Sequence, residues 1–286
     1  MDFRLTEDQR ALRRGVRELL ARRFDRDALR AAVASGRLDR DLWRELGAAG
    51  FFALRLPEKE GGVGLGLPEA ALVFEEAGRA LLPGPLVATH LAAGSVPGAA
   101  EGDVVVTSVD EGLVPWLDEA DVVLGDVEGA VPMRSVDPLT PLHRVRGQGG
   151  APLPAAVLLT AAEQVGSAAA TTDAAVSYAR VREQFGQAIG GFQAVKHLCA
   201  GMLVRTELAR AAVRAASLTA DPVEIAGAKL LADEAATGNA RDCLQVHGGM
   251  GFTWEADVHL HLKRAWVRAE LRLPAARAEE AVAAAL

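Results

Sequence analysis

Two short segments hold residue types that bind phosphate. The first is Arg182-Glu183-Gln184-Phe185-Gly186, where a long helical pattern ends. An arginine in that place can fork onto phosphate oxygens. Phe185 offers a flat face to a purine, and Gly186 permits a backbone turn that other residues resist. The second is Gln245-Val246-His247-Gly248-Gly249-Met250-Gly251. Its glycines let backbone N–H groups come close to a phosphate. Both segments also have a plainer account. Arg182 with Gly186 describes a helix C-terminus with a dipole-matched cation and a glycine cap, and Gly248-Gly249 describes a helix terminator. The glycine spacing is not G-x-G-x-x-G and follows a helix, so it is not a Rossmann turn. Taken singly, each segment leaves both accounts open.

Other chemistries find little support. His259 and His261 lie two apart on a helical pattern, so they point to different faces and cannot share one ion. No cluster has zinc spacing, and no metal is expected. No G-x-S-x-G or similar nucleophile motif is present. His247 reads as a satisfied helix-end histidine rather than a general base. Cys199 and Cys243 sit in apolar helical contexts and read as small buried hydrophobes in a reducing compartment.

The elements that must position these segments are mostly helical. Half of the 286 residues are hydrophobic but only 5% are aromatic, so the core is built of Ala, Leu and Val, and Ala and Leu are strong helix formers. Thr6 and Gln9 form a capping box ahead of an amphipathic stretch. A second helix opens at Asp41-Leu42-Trp43, and a third runs from about Pro68 to Leu82. Pro83-Gly84-Pro85 then breaks the pattern. Valine runs at 103–107 and 121–124, separated by turn signals, read as a small sheet of short strands. From Ala155 onward four long helical patterns with short links predict an antiparallel bundle. The third of them starts at Asp221-Pro222 and stops at Gly248-Gly249, and the fourth runs from about Trp254 to Leu271. Pro274 opens a short final helix. The fold expected is mainly α: an N-terminal helical domain over 1–83, a shortened middle β domain over 84–150 and a C-terminal antiparallel four-helix bundle over 151–286. With 31 basic against 38 acidic residues, the net charge is -7 and no basic stripe occurs. Nucleic-acid binding is therefore not expected. The chain shows no secretory signal and no apolar run long enough for a bilayer, so a cytoplasmic protein without membrane contact is expected.

The joint occurrence of four motifs resembles the acyl-CoA dehydrogenase family over most of the chain. They are LTEDQRALRRGVRELLARRF, LWRELGAAGFFALRLPEKEGGVGLGLPEAALVFEEAGRAL, VREQFGQAIGGFQAVKHLCAGM and AKLLADEAA…LQVHGGMGFTWEADVHLHLKRA, in family order. The resemblance implies FAD lying across a subunit interface of a tetramer. It also implies an acyl-CoA substrate of lipid or steroid catabolism and an electron-transfer flavoprotein as acceptor. Carried over by position, Arg182, Gln184, Phe185 and Gln193 would contact the ADP part of a flavin held mainly by a neighbouring subunit. Gln245, Gly248 and Gly249 would line the pyrophosphate and adenosine region.

Two departures qualify what the resemblance implies. The family's middle domain is a larger β-barrel with a Thr-Glu-Pro…Gly-Ser-Asp type motif near the flavin ring. Nothing between Leu86 and Gly150 matches that motif, although Ser135 to Arg146 resembles the barrel's end. The family's catalytic glutamate occupies one of two positions, which fall here near Ala156 and Arg272. Neither is a carboxylate, so no catalytic residue is assigned to this chain. The nearest glutamates are Glu163 and Glu270. Some family members are heteromers in which one subunit bears the base, and this chain resembles the other, degenerate kind: a member of a heterotetramer with a homologous subunit. Two alternatives stand beside that expectation. One is a self-sufficient homo-oligomer with Glu270 as base; the other is a flavin-free scaffold or regulatory protein of the same fold.

Overall fold

Local capping chemistry sets most helix starts. Thr6 Oγ1 accepts from the Gln9 N–H at 3.1 Å and the Gln9 side chain accepts from the Thr6 N–H at 3.0 Å. That capping box opens α1 (Glu7–Arg23). Asp25 caps α2 (Arg26–Ser35), and Asp39 caps α3 (Arg40–Ala48). α4 (Leu67–Arg79) carries Pro68 in its first turn, where the missing N–H costs nothing. The structure is a computed structural model describing residues 4–147, 150 and 152–285. It contains one helix, α2, left unassigned from the sequence. The Asp25 cap separates α2 from α1, and Gly36 ends α2 in the left-handed conformation.

The stretch read as strands begins with a helix instead, α5 (Leu86–Ala92), almost every residue of which is buried. Its run Leu-Val-Ala-Thr-His-Leu-Ala lacks polar alternation, and burial on all sides leaves periodicity nothing to show. The strands that follow are three residues each: β1 (Val106–Ser108), β2 (Leu113–Pro115), β3 (Val122–Leu124), β4 (Val131–Met133) and β5 (Leu142–Arg144). β1 pairs in parallel with β3, Val106 facing Val122. β5 is the centre of an antiparallel order β2-β5-β4. These small sheets are the shortened middle β region.

The C-terminal helices are α6 (Pro154–Val181), α7 (Gln193–Thr219), α8 (Pro222–His247), α9 (Val258–Glu270) and α10 (Ala275–Ala283). Short links make α6 to α9 an antiparallel bundle. The N-terminal part docks through α4 on α6 at backbone contact. A Cβ on Gly78 would meet the Glu163 carbonyl at 2.0 Å, and one on Gly166 the Glu75 carbonyl at 1.9 Å. Arg264 of α9 ties the three regions together. Its buried guanidinium pairs with Asp137 and donates to the carbonyls of Leu82, at 3.2 Å, and Leu139, at 3.1 Å. Among the described residues no helix is long and apolar enough to cross a membrane.

Candidate functional site

α6 stops at Val181 and Arg182 turns extended, with φ -76° and ψ 122°. The chain then forms a two-residue hairpin, β6 (Glu183–Gln184) against β7 (Gln187–Ala188). Phe185 at φ 53° and Gly186 at φ 79° occupy its turn, the pair of left-handed residues that a tight hairpin of this twist requires. Gly186 therefore serves a hairpin and not a helix cap. Phe185 stands at the tip, 93% exposed. Its nearest ring is Phe192, edge-on at 6.1 Å. The Gln184 amide donates to the Glu183 carbonyl at 2.7 Å, and Gln193 is the exposed first residue of α7. Among the described residues the Arg182 guanidinium has no hydrogen-bonding or ionic partner.

The second segment begins at the end of α8. Gly248 takes φ 61° and ψ -144°, and a 3-10 turn runs over Gly248–Phe252. His247 is satisfied, as expected of a helix-end histidine: its Nδ1 lies 2.8 Å from the Cys243 carbonyl. The ring stacks on Tyr178 with centroids 4.2 Å apart. Gly249 has neither a positive φ nor any atom within 4 Å of where a Cβ would sit. Neither conformation nor packing within the chain asks for glycine there.

The two segments meet. Val181 and Arg182 share an open cavity of about 670 Å³ with Tyr178, His247, Met250 and His261. Gln184, Phe185, Gln193, Gln245, Gly248 and Gly249 are exposed, and none of them lines that cavity. His261 has a position no spacing rule foretold. It bonds Ser167 Oγ at 2.8 Å, and desolvation, with Arg264 and Arg268 adding to it, pushes its pKa down to about 3. His259 points elsewhere, edge-on to Trp254 at 4.7 Å, with both ring nitrogens buried and unpartnered. Among the described residues no group of three or more His, Cys, Asp or Glu could hold a metal ion. Both cysteines are free; Cys243 is buried and its thiol is pushed up to about 12, while Cys199 is half-buried.

The two positions expected to lack a base are built into the protein interior. Ala156 is packed in the core at the start of α6. Arg272 lies between α9 and α10 at φ 70°. Its backbone N–H bonds both oxygens of Asp110, at 2.9 and 2.8 Å. Its guanidinium reaches Asp110 at 3.1 Å and Ser108 Oγ at 2.9 Å. Burial pushes the Asp110 carboxyl up, against the pull of Arg272. Glu163 is buried and paired with Arg268 at 2.6 Å. Glu270 is exposed and lines a different cavity, of about 830 Å³, with Leu113, Met133, Arg144 and Trp266.

The sequence matches the acyl-CoA dehydrogenase N-terminal domain over residues 6–101 and the acyl-CoA dehydrogenase C-terminal domain over residues 153–271. Acyl-CoA dehydrogenase IpdE2 of Mycobacterium tuberculosis is 38% identical, with 93% of each chain covered. Acyl-CoA dehydrogenase FadE34 of the same organism is 35% identical over 79% of this chain and 40% of its own length. Among solved structures, a variant of the Tcur3481-Tcur3483 steroid ACAD superposes with a TM-score of 0.85 at 25% identity, 97% of both chains covered. Butyryl-CoA dehydrogenase from Megasphaera elsdenii shares the fold with a TM-score of 0.84 at 19% identity, covering 100% of this chain and 99% of that one. Model, relatives and fold agree: the chain belongs to the acyl-CoA dehydrogenase family.

Proposed function

We propose that the chain is the subunit without a catalytic base in a heteromeric acyl-CoA dehydrogenase, and that it completes an FAD site held mainly by a homologous partner. The assembly would oxidise an acyl-CoA of lipid or steroid type to its enoyl-CoA, with an electron-transfer flavoprotein as acceptor. The division at residues 83 and 150 and a cytoplasmic setting belong to the same reading. Arg272 is the observation that carries it. At a position where the family can place its glutamate stands a cation, held by Asp110 and Ser108. An arginine keeps its proton at any working pH, so it cannot take one from a substrate. Glu163 offers no substitute, being buried against Arg268. The names of the solved neighbour, two chains and a steroid ACAD, agree with a two-chain assembly and with the substrate class.

The residues present fit the ADP half of FAD. The free guanidinium of Arg182 lines the cavity, and the exposed ring of Phe185 and the open Gly249 lie on the two chain segments that line it. Arg182 would offer two parallel N–H donors to pyrophosphate oxygens. Gly248 and Gly249 would let backbone N–H groups close on the same charge. Phe185, Gln184, Gln193 and Gln245 would contact the adenosine. FAD, when bound, supplies the hydride acceptor.

A second reading rests on one feature: Glu270 is an exposed carboxylate lining a cavity that Leu113, Met133 and Trp266 share with Glu111, Arg134, Arg144 and Arg146. It would be the base of a self-sufficient enzyme. Glu270→Gln separates the two, since the amide cannot accept a proton. In the assembled enzyme turnover should stay within about twofold, as for a surface change. A fall of about a hundredfold with flavin still bound would transfer the base to this chain.

A further inference from the structure

The seam where α1, α4 and α7 meet is built of charges that do not balance. Glu75 and Glu76 of α4 are buried there. Arg17 of α1 grips Glu76 through two hydrogen bonds of 2.7 Å, and Arg13 stands 3.8 Å from it. Arg210 of α7 takes Glu75 at 2.9 Å and also pairs with Glu207. Arg214, one turn beyond Arg210, is the cation left over. Among the described residues its guanidinium has no hydrogen-bonding or ionic partner, and its Nε is buried.

Burial opposes the charge of Arg214, and Arg210 and Arg13 repel it, while Glu75 and Glu207 attract it without reaching it. An arginine cannot answer by releasing its proton. An unmet N–H on a charged group costs more than on a neutral one, and such a group calls for a water or an ion beside it. Arg214 lines a cavity of about 70 Å³ with Arg4, Gln9, Leu72, Ser217 and Leu218. That is room for about two waters at about 30 Å³ each, or for one small oxyanion, and far too little for a nucleotide. Among the described residues no acidic side chain lines it. Glu69, next to the lining residue Pro68, is turned onto the Gly66 N–H at 3.0 Å and the Gln9 amide at 2.8 Å. The Ser217 hydroxyl gives its proton to the Arg214 carbonyl at 2.7 Å, which leaves the Arg214 guanidinium with N–H donors to spare.

We propose that this cavity is a binding site for a free tetrahedral oxyanion, inorganic phosphate or sulfate, held by Arg214. Two parallel N–H donors of a guanidinium match two oxygens of such an ion, a fit that a spherical halide cannot offer. A water would meet the N–H groups and leave the charge; the oxyanion meets both. Bound there, it joins α7 to the start of α1 and to α4, so occupancy stabilises the docking of the N-terminal helices on the bundle. The site is independent of the cofactor reading, because none of its lining residues lines the Arg182 cavity.

The test uses the full chain in phosphate-free buffer. Inorganic phosphate is titrated while thermal unfolding and heat of binding are followed, with sodium chloride holding the ionic strength constant. Wild type is expected to show a saturable rise in Tm and one site per chain. Arg214→Met keeps the apolar stem and loses the donors, so phosphate affinity should fall at least about tenfold. Without phosphate this variant should unfold no earlier than wild type, since it gives up no partner. Leu218→Glu, at an exposed lining position, brings a carboxylate to the cavity and should abolish the response by itself, whether or not Arg214→Met folds. Arg22→Met, at an exposed arginine of α1 outside the cavity, should bind phosphate as wild type does. The proposal is overturned by no saturable response in wild type, by an equal response to chloride, by a response kept in either cavity variant, or by one lost equally in Arg22→Met.

Discussion

Arg264→Leu is expected to lower stability by about 3–5 kcal/mol, because it leaves a buried carboxylate without its cation. The side chains of Arg264 and Asp137 are 4% and 0% exposed. Asp137 also accepts from the Leu139 N–H at 3.0 Å and the Thr140 hydroxyl at 2.6 Å, so it cannot turn to solvent. The lost arginine would further orphan the carbonyls of Leu82 and Leu139, and so loosen α9 from both the N-terminal helices and the sheets. Urea unfolding of the isolated chain measures the loss. Replacing Asp137 by leucine as well should recover much of it, since two apolar groups in place of a buried pair can be nearly neutral. A single-variant cost below about 1 kcal/mol, typical of exposed pairs, would show that water reaches the site.

Arg182→Ala should do the opposite, sparing the fold and emptying the cofactor site. The backbone bonds at this corner do not involve its side chain: the Arg182 N–H donates to Tyr178 O at 2.9 Å, and the Ile189 N–H to Arg182 O at 2.8 Å. Unfolding of the isolated chain should therefore shift by no more than about 0.5 kcal/mol. In the assembled enzyme the loss of a charge-assisted contact should cost on the order of 2 kcal/mol, about thirtyfold in FAD affinity. Flavin retained after dialysis reads this out. Unchanged flavin with lowered stability would return Arg182 to the plainer role of a helix-end cation.

The helices were legible because their signals are local. Thr6 with Gln9, Asp221 with Pro222, and Pro274 each mark a start within four residues of chain, and the structure begins helices there. α2 and α5 were not legible for two different reasons. α2 is ten residues long with only Leu29 buried, too short a period to stand out, and α5 is buried on too many sides to show one. The fourth bundle helix starts at Val258 and not near Trp254, because the residues between are held by Arg26 and Arg30 from far away in sequence. At the candidate site, residue types located Arg182 and the glycines, but not Gly186's service to a hairpin turn. The missing carboxylates at 156 and 272 were visible in the sequence, whereas what holds Arg272 was not. Asp110 and Ser108 lie more than a hundred residues away and carry no motif.

On the proposed function, this chain completes an FAD site without being able to form one alone. The direct measurement is the visible absorption spectrum and flavin-to-protein ratio of the purified chain, by itself and co-expressed with a full-length, glutamate-bearing homologue. The chain alone should be colourless or substoichiometrically loaded, because its middle region is three-residue strands, and the heteromer with the partner should be yellow. A fully flavin-loaded, catalytically active homo-oligomer of this chain would contradict it.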